Sequence, residues 1–183
     1  MSNILLVIRC FFFLLPAGVS NMAPVLLTKR FGFFLDTPVD FNRTFNGKPI
    51  FGKNKTWRGV VGGTVSGMLV YLLEQWLYQF PFFKRVSLID YSSSPLLLGF
   101  LMSFGALLGD LVKSFFKRRV GIESGKPLFF FDQVDWILGA ITLSLIVYVP
   151  SVKTVIVLTL LAVVLHPLVN YVGFILKQKS NKF

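Results

Sequence analysis

Cysteine is almost absent from this sequence, and acidic residues are scarce. The chain has one cysteine, Cys10, among 183 residues, which excludes an intramolecular disulfide and a cysteine-based metal cluster. Asp and Glu number 8 against 19 Lys and Arg, so the formal net charge is +11. Because acids are so few, several of them in one short stretch would point to a function.

Polar residues are also too few to cover a soluble domain of this size. Hydrophobic residues make up 54% of the chain, 21 residues are Phe, and the mean hydropathy is +0.70. This composition predicts a single polytopic membrane domain over residues 1–183. The basic residues lie between apolar runs rather than on a soluble face, so we expect contacts with anionic membrane lipids and phosphate substrates, and no nucleic acid.

Five apolar runs predict an all-α integral membrane fold with five transmembrane helices. They cover approximately residues 4–27, 59–80, 96–112, 135–149 and 155–175. A cleaved signal peptide is the alternative for the first run. However, nothing basic precedes Arg9, and the apolar run continues past Met22. We therefore expect the first run to be retained as a span.

The distribution of basic residues predicts the orientation of the spans. With five spans, the first polar loop (residues 28–58), the central loop and the C-terminus share one side, and they carry 15 of the 19 Lys and Arg residues. The positive-inside rule then places the N-terminus outside, and the C-terminus and the two basic loops in the cytoplasm. We expect the plasma membrane, with the functional loops on its cytoplasmic side.

Small residues predict close helix packing. The second span begins with glycines at 59, 62, 63 and 67, a pattern typical of helix faces whose backbones approach closely. Such glycine-rich faces also suggest that the protein could form a homodimer.

The central stretch, residues 109–135, combines acids and bases between two apolar runs. If the third helix continues beyond the membrane surface, Asp110, Ser114 and Lys117 lie on one helical face. Asp132 and Asp135 are three residues apart at the start of the next helix, so they also share a face. A hairpin of the two helices would bring three carboxylates together near the membrane surface.

Three carboxylates beside a basic cluster are suited to a magnesium nucleotide. Magnesium is commonly held by one or two carboxylates together with phosphate oxygens, and a second ion can flank a reacting phosphate. Lys117, Arg118 and Arg119 would neutralise the remaining phosphate charge. The alternative is that the acids pair with neighbouring cations and only stabilise the membrane topology.

Two motifs resemble a known family. Gly109-Asp110-Leu111, Ser114, Lys117-Arg118 and the pair Asp132 and Asp135 resemble the cytidylyltransferases that make CDP-activated lipids. The bacterial pattern has an Arg after the first paired Asp and a His-Gly-Gly before it, whereas this chain has Gln133 and three Phe. The element GKNKTWRG over residues 52–59 resembles the CDP-archaeol synthase branch, and the resemblance extends from about residue 21 to residue 176.

The resemblance implies a reaction and a set of site residues. It implies condensation of CTP with an unsaturated archaeal ether lipid phosphate, giving CDP-archaeol and pyrophosphate, with one or two Mg²⁺ ions as cofactor. The implied metal ligands and catalytic groups are Asp110, Asp132 and Asp135, with Lys117 as a further catalytic group. The implied CTP-binding residues are Asn54, Lys55, Thr56, Arg58, Ser114 and Arg118.

Other functions fit parts of the pattern. A CTP-dependent lipid kinase would use similar architecture but transfer the terminal phosphoryl group, and a phosphatidate cytidylyltransferase would differ only in its lipid. A small membrane transporter or scaffold would need the charges for topology alone. These alternatives differ in their products and in their tolerance of changes to the acids.

Overall fold

Helices account for nearly all of the regular structure in the computed structural model, which describes residues 3–30, 35–126, 128 and 131–175, without the side chains of 28–30 and 172–175. The first polar loop also contains a short antiparallel hairpin of β1 (Thr44–Phe45) and β2 (Lys48–Pro49). The helices are α1 (Asn3–Arg30), α2 (Trp57–Leu77), α3 (Pro81–Val86), α4 (Leu96–Arg119), α5 (Phe131–Ser144) and α6 (Val152–Ile175).

Four of these helices are long and apolar enough to cross a membrane. They are Asn3–Leu27 within α1, Trp57–Leu77, Leu96–Arg119, and Val152–Tyr171 within α6. Their length and composition agree with the predicted all-helical membrane fold.

The predicted fourth span, residues 135–149, corresponds to the shorter helix α5. Its 14 residues rise about 21 Å, less than the roughly 30 Å of a hydrocarbon core. The helix ends at Ser144, and a turn follows. Both the count of five crossings and the sides on which the termini lie therefore stay predictions, and the basic C-terminal tail lies outside the described residues.

Helix α4 extends beyond the predicted third span. It continues to Arg119, well past the predicted end at residue 112. This continuation places Asp110 and Lys117 on one unbroken helix, which is the condition that the predicted hairpin requires.

Helix α1 runs without a break through Pro16 and Pro24, as transmembrane helices can where neighbouring groups compensate the lost backbone bond.

The backbones of α4 and α5 are in direct contact through glycines. A Cβ atom at Gly105 would lie 2.6 Å from the carbonyl oxygen of Gly139 on α5, closer than real Cβ atoms come. A Cβ at Gly109 would collide with the backbone of Asp135 in the same way. Only glycine allows this approach, and it brings the two acidic helix segments together.

Helix α2 packs against α1 through the predicted glycine face. A Cβ atom at Gly63 would lie 2.7 Å from the carbonyl oxygen of Ser20, and one at Gly67 would lie 2.6 Å from that of Pro16. The prediction of close packing by these glycines is therefore confirmed. The packing lies within the chain, so the glycine pattern of α2 gives no support to a homodimer.

The helix bundle has an apolar interior and an apolar exterior. Phe13, Met102 and Ile137 are at most 2% exposed in the core. Large apolar side chains also cover the outside of the long helices, and Leu69 and Leu160 are each about 60% exposed. A surface of this kind is suited to lipid rather than to water.

The α4–α5 contact generates a stability prediction. Gly139→Ala should destabilise the protein by about 1–3 kcal/mol, because the added methyl group forces two backbones apart. The measurement is the thermal unfolding midpoint of the purified protein in detergent. Gly18→Ala is the matched control, since its Cβ would meet only Trp136 at 4.0 Å. Equal midpoints for the two variants would contradict the close contact.

Candidate active site

Three carboxylates converge on one ammonium group where α4 meets α5. The Nζ atom of Lys113 lies 3.1 Å from Oδ1 of Asp110, 2.9 Å from Oδ1 of Asp132 and 2.7 Å from Oδ2 of Asp135. The structure therefore brings together the three aspartates that the helical spacing predicts. It places a lysine at their centre, which the sequence interpretation did not assign to the site.

Lys113 reaches this position because of its place on α4. It is three residues after Asp110, so the two side chains share a helical face, and α5 lies opposite that face. Its side chain is only 12% exposed. The i to i+3 spacing was the signal available in the sequence, but the spacing alone cannot show which cation lies at the centre.

Two further lysines contact the carboxylates individually. Lys55, from the first loop, forms a short ion pair with Asp110. Lys117 lies 3.4 Å from Oδ1 of Asp132 and also donates to the carbonyl oxygen of Lys126 in the central loop. The first loop, α4 and the central loop are thereby tied to the same acidic site.

Asp135 differs from the other two aspartates. Its side chain is 7% exposed, and neither carboxylate oxygen receives a hydrogen bond of good geometry, although Oδ2 is in ion-pair distance of Lys113. Asp132, in contrast, also accepts the backbone N–H of Leu128 at 2.5 Å. The buried carboxylate of Asp135 therefore depends on Lys113 for compensation of its charge.

The donor atoms of the site are chemically suited to magnesium. All three acids present carboxylate oxygens, the ligands that magnesium prefers, and Asp135 retains unused acceptor capacity. Among the described residues, no three His, Cys, Asp or Glu side chains form a ready-made set of metal ligands. The ammonium of Lys113 lies at the point that the three carboxylates share.

The first loop is organised around Asp40. Its carboxylate accepts the backbone N–H groups of Asn42 at 3.0 Å, Phe51 at 2.9 Å and Gly52 at 3.1 Å. Burial would raise the pKa of Asp40, but these donors outweigh it and hold the pKa below its ordinary value. Asp40 thus positions the segment that carries Lys55.

Arg119 joins the hairpin of the first loop to the end of α4. Its guanidinium donates to the carbonyl oxygens of Phe45, Lys48 and Pro49, and it lies 5.4 Å and 5.0 Å from the ring centres of Phe45 and Phe115. These contacts hold the hairpin against the end of α4, while Nε of Arg119 has no hydrogen-bond partner among the described residues. The expectation that Arg119 neutralises phosphate charge stays a prediction.

Several residues of the predicted nucleotide-binding set are engaged in local structure. Thr56 is the N-cap of α2 and accepts the backbone N–H of Gly59 at 3.3 Å. Arg58 is buried and pairs with Asp36 at 2.6 Å. The hydroxyl of Ser114 donates to the carbonyl oxygen of Asp110 at 2.8 Å. The structure thus shows a scaffolding contact for each of them, while their roles toward a nucleotide stay predictions.

A cleft of about 420 Å³ lies between the first loop and the central loop. Lys48, Lys53 and Arg118 line it, together with the acids Asp40 and Glu123. The side chain of Arg118 is buried, and its Nε has no hydrogen-bond partner in the described part of the chain.

The cleft and the acidic site are neighbours along the chain. Arg118 directly follows Lys117, which contacts Asp132, and Asn54 lies between the cleft residue Lys53 and Lys55, which contacts Asp110. Asn54 also approaches the central loop, since a Cβ at Gly125 would lie 3.6 Å from its Nδ2. A cleft of the size of a small-molecule site is therefore lined by residues that are close in the sequence to those that contact the carboxylates.

Comparisons with known proteins point to one family. A family model described as CarS-like CDP-archaeol synthase matches residues 1–183. The CDP-archaeol synthase of Pyrococcus furiosus is 33% identical over 95% of this chain and 96% of its own length. That of Methanoculleus marisnigri is 38% identical over 91% of this chain and 98% of its own. A solved structure of an intramembrane enzyme for archaeal membrane lipids biosynthesis has a TM-score of 0.70 and 27% identity, covering 87% of this chain and 90% of that chain.

The role of Asp40 can be tested by hydrogen exchange. Asp40→Asn should speed amide exchange over residues 42–52, because an amide has one acceptor oxygen where the carboxylate has two. In the unchanged protein, the lowered pKa means that Asp40 stabilises the loop above about pH 4, and that this contribution is lost as the pH falls further. Asp90→Asn, in the link after α3, is the control. Unchanged exchange in Asp40→Asn would contradict the anchoring role.

Proposed function

The chain belongs to the CDP-archaeol synthase family, and on this basis we propose that its three convergent aspartates form the catalytic centre. The protein is a CTP-dependent cytidylyltransferase of membrane lipid biosynthesis. It condenses CTP with an archaeal-type ether lipid phosphate to give CDP-archaeol and pyrophosphate. The observation that supports the proposed centre is the meeting of Asp110, Asp132 and Asp135 around Lys113.

The reaction requires positioning and charge neutralisation more than proton transfer. An oxygen of the lipid phosphate attacks the α-phosphorus of CTP, and a new P–O bond forms in line with the bond that breaks. The electron pair of the broken bond leaves on pyrophosphate. No general base is needed, because the attacking phosphate is already ionised. The enzyme must instead bring two anions together, which depends on preorganised positive charge.

We assign the cleft to the nucleotide. Lys48, Lys53 and Arg118 line it together with the acids Asp40 and Glu123, so its cations outnumber its acids. The two loops that form it also contact the aspartates, through Lys55 and through the backbone N–H of Leu128. We propose that CTP binds there with its triphosphate directed toward the aspartates. Arginine suits such a role because its planar guanidinium can hold a phosphate through two hydrogen bonds.

We assign Asp110, Asp132 and Asp135 to one or two magnesium ions. The oxygen-only donor set and the unbonded oxygens of Asp135 support this assignment. Magnesium bound there would offset phosphate charge and polarise the α-phosphorus. The protein residues would contribute the remaining charge balance, since Lys55 and Lys117 each contact one carboxylate.

We place the active site on the cytoplasmic side of the plasma membrane, in a chain that crosses the membrane five times. The concentration of basic residues in the two loops supports this orientation, and cytoplasmic CTP would then reach the cleft directly. Five crossings require α5 and the turn after it to complete one passage. A homodimer remains a proposal without a supporting contact in the described residues.

Product analysis tests the reaction and its lipid. Purified protein with labelled CTP, magnesium and an unsaturated archaeal ether lipid phosphate should yield a CDP-lipid and pyrophosphate, whereas a lipid kinase would release CDP. Phosphatidate in place of the ether lipid should give a lower rate. Chelation of divalent metal should abolish turnover, because carboxylates without metal repel the triphosphate. Full activity in excess chelator would remove the metal from the proposal.

The catalytic role of the acids can be tested by charge removal at constant size. Asp135→Asn should lower kcat by about a hundredfold or more, since a metal ligand acts on the transition state. Asp132→Asn and Asp110→Asn should behave similarly. The control is Asp90→Asn, which lies in an exposed turn between α3 and α4 and outside the proposed site. This variant should keep its activity. Melting of each variant excludes misfolding, and normal turnover in folded Asp135→Asn would contradict the proposed centre.

A further inference from the structure

We infer that Lys113 is a built-in counter-cation that holds the three aspartates together and yields its position when a divalent metal binds. This inference rests on the proposed metal site and adds a role for a residue that lies outside the set expected from the sequence. It predicts direct competition between one side chain of the protein and the metal.

Lys113 is distinguished from its neighbours by the number of carboxylates it contacts. Its Nζ lies within 3.1 Å of an oxygen from each of the three aspartates. In the described residues, Lys55 pairs only with Asp110, and Lys117 only with Asp132. Lys113 therefore occupies a point from which all three carboxylates are reached.

A magnesium ion bound by these carboxylates would need the same point. Magnesium accepts oxygen ligands at about 2.0–2.1 Å, closer than the contacts that Lys113 makes. The oxygens would have to close around the ion, and an ammonium group could not stay among them. The metal and the ammonium are thus alternative occupants of one position.

The site also needs a cation before the metal arrives. Three carboxylates that share one ammonium group repel one another, and the side chain of Asp135 is 7% exposed with no hydrogen bond of good geometry to its oxygens. Lys113 supplies the charge that allows all three to remain ionised and close together. The ligands are therefore assembled in advance, and metal binding requires a movement of one flexible side chain rather than of helices.

The displaced ammonium would stay close to the reacting groups. Lys113 is four residues before Lys117 on α4, so both side chains project from one face of the helix. Rotation about its side-chain bonds can turn Nζ from the carboxylates toward a phosphate bound beside Lys117. Lys113 would then balance negative charge in both states, first on the aspartates and afterwards on the substrate.

Metal binding without substrate gives a direct test. The full-length protein in detergent would be titrated with Mn²⁺, and free Mn²⁺ would be measured by electron paramagnetic resonance, with Mg²⁺ as competitor. Lys113→Gln should bind Mn²⁺ about tenfold more tightly or better, because it removes both a competitor and a positive charge. Lys113→Arg, which keeps the charge, should not gain affinity. Lys153→Gln is the control, since Lys153 contacts only Asn3 in the described structure.

Stability provides a second readout. Without metal, Lys113→Gln should melt at a lower temperature than the unchanged protein, because three carboxylates lose their shared cation. Mg²⁺ should raise the melting temperature of this variant more than that of the unchanged protein. Lys153→Gln should show neither difference.

A variant with balanced charge covers the case in which Lys113→Gln does not fold. Lys113→Gln combined with Asp135→Asn removes one charge of each sign. It should bind Mn²⁺ about tenfold more tightly than Asp135→Asn alone, if Lys113 competes with the metal. Equal or weaker binding in either comparison would overturn the role of Lys113. Absence of Mn²⁺ binding in every protein, with activity that survives chelation, would instead overturn the metal site on which it rests.

Discussion

The contact between the backbones of α4 and α5 is the constraint on which the site depends. Glycines at 105, 109 and 139 allow the two helices to touch, and Gly109 faces the backbone of Asp135 directly. Asp110 follows Gly109, so the contact brings carboxylates of two helices to one place. A wider helix separation would leave these acids apart, each compensated by its own neighbours.

Charge compensation then couples the loops to the helix bundle. Lys55 from the first loop, Lys113 from the middle of α4 and Lys117 beside the central loop all contact the same group of aspartates. Arg119 and Asp40 fix the first loop from its other side. Under the proposed function, a nucleotide in the cleft between the two loops would consequently be held in a defined position relative to the carboxylates. The same contacts would then position both the bound nucleotide and the aspartates.

Part of this arrangement could be predicted from the sequence, because helical spacing and hydropathy are local. The apolar runs predicted the long helices, and the spacing of Asp110, Ser114 and Lys117 predicted one face of α4. The central position of Lys113 and the use of Arg119 by backbone carbonyls depend on contacts between distant segments, which spacing does not encode. The fourth span was predicted to end at residue 149, beyond the end of α5, because hydropathy continues past Ser144.

Arg119 and Lys113 differ in which of their contacts can be replaced when a ligand binds. Arg119 is committed to three carbonyl groups and two aromatic rings, so its release would free the hairpin that forms one wall of the cleft. Lys113 contacts only carboxylates in the described structure, and a divalent ion can replace it there without loss of charge. Within this site we therefore expect Lys113 to move, whereas Arg119 stays in place and holds the hairpin. Arg119 and Lys113 thus differ in task, since one holds the first loop in place and the other balances the charge of the aspartates.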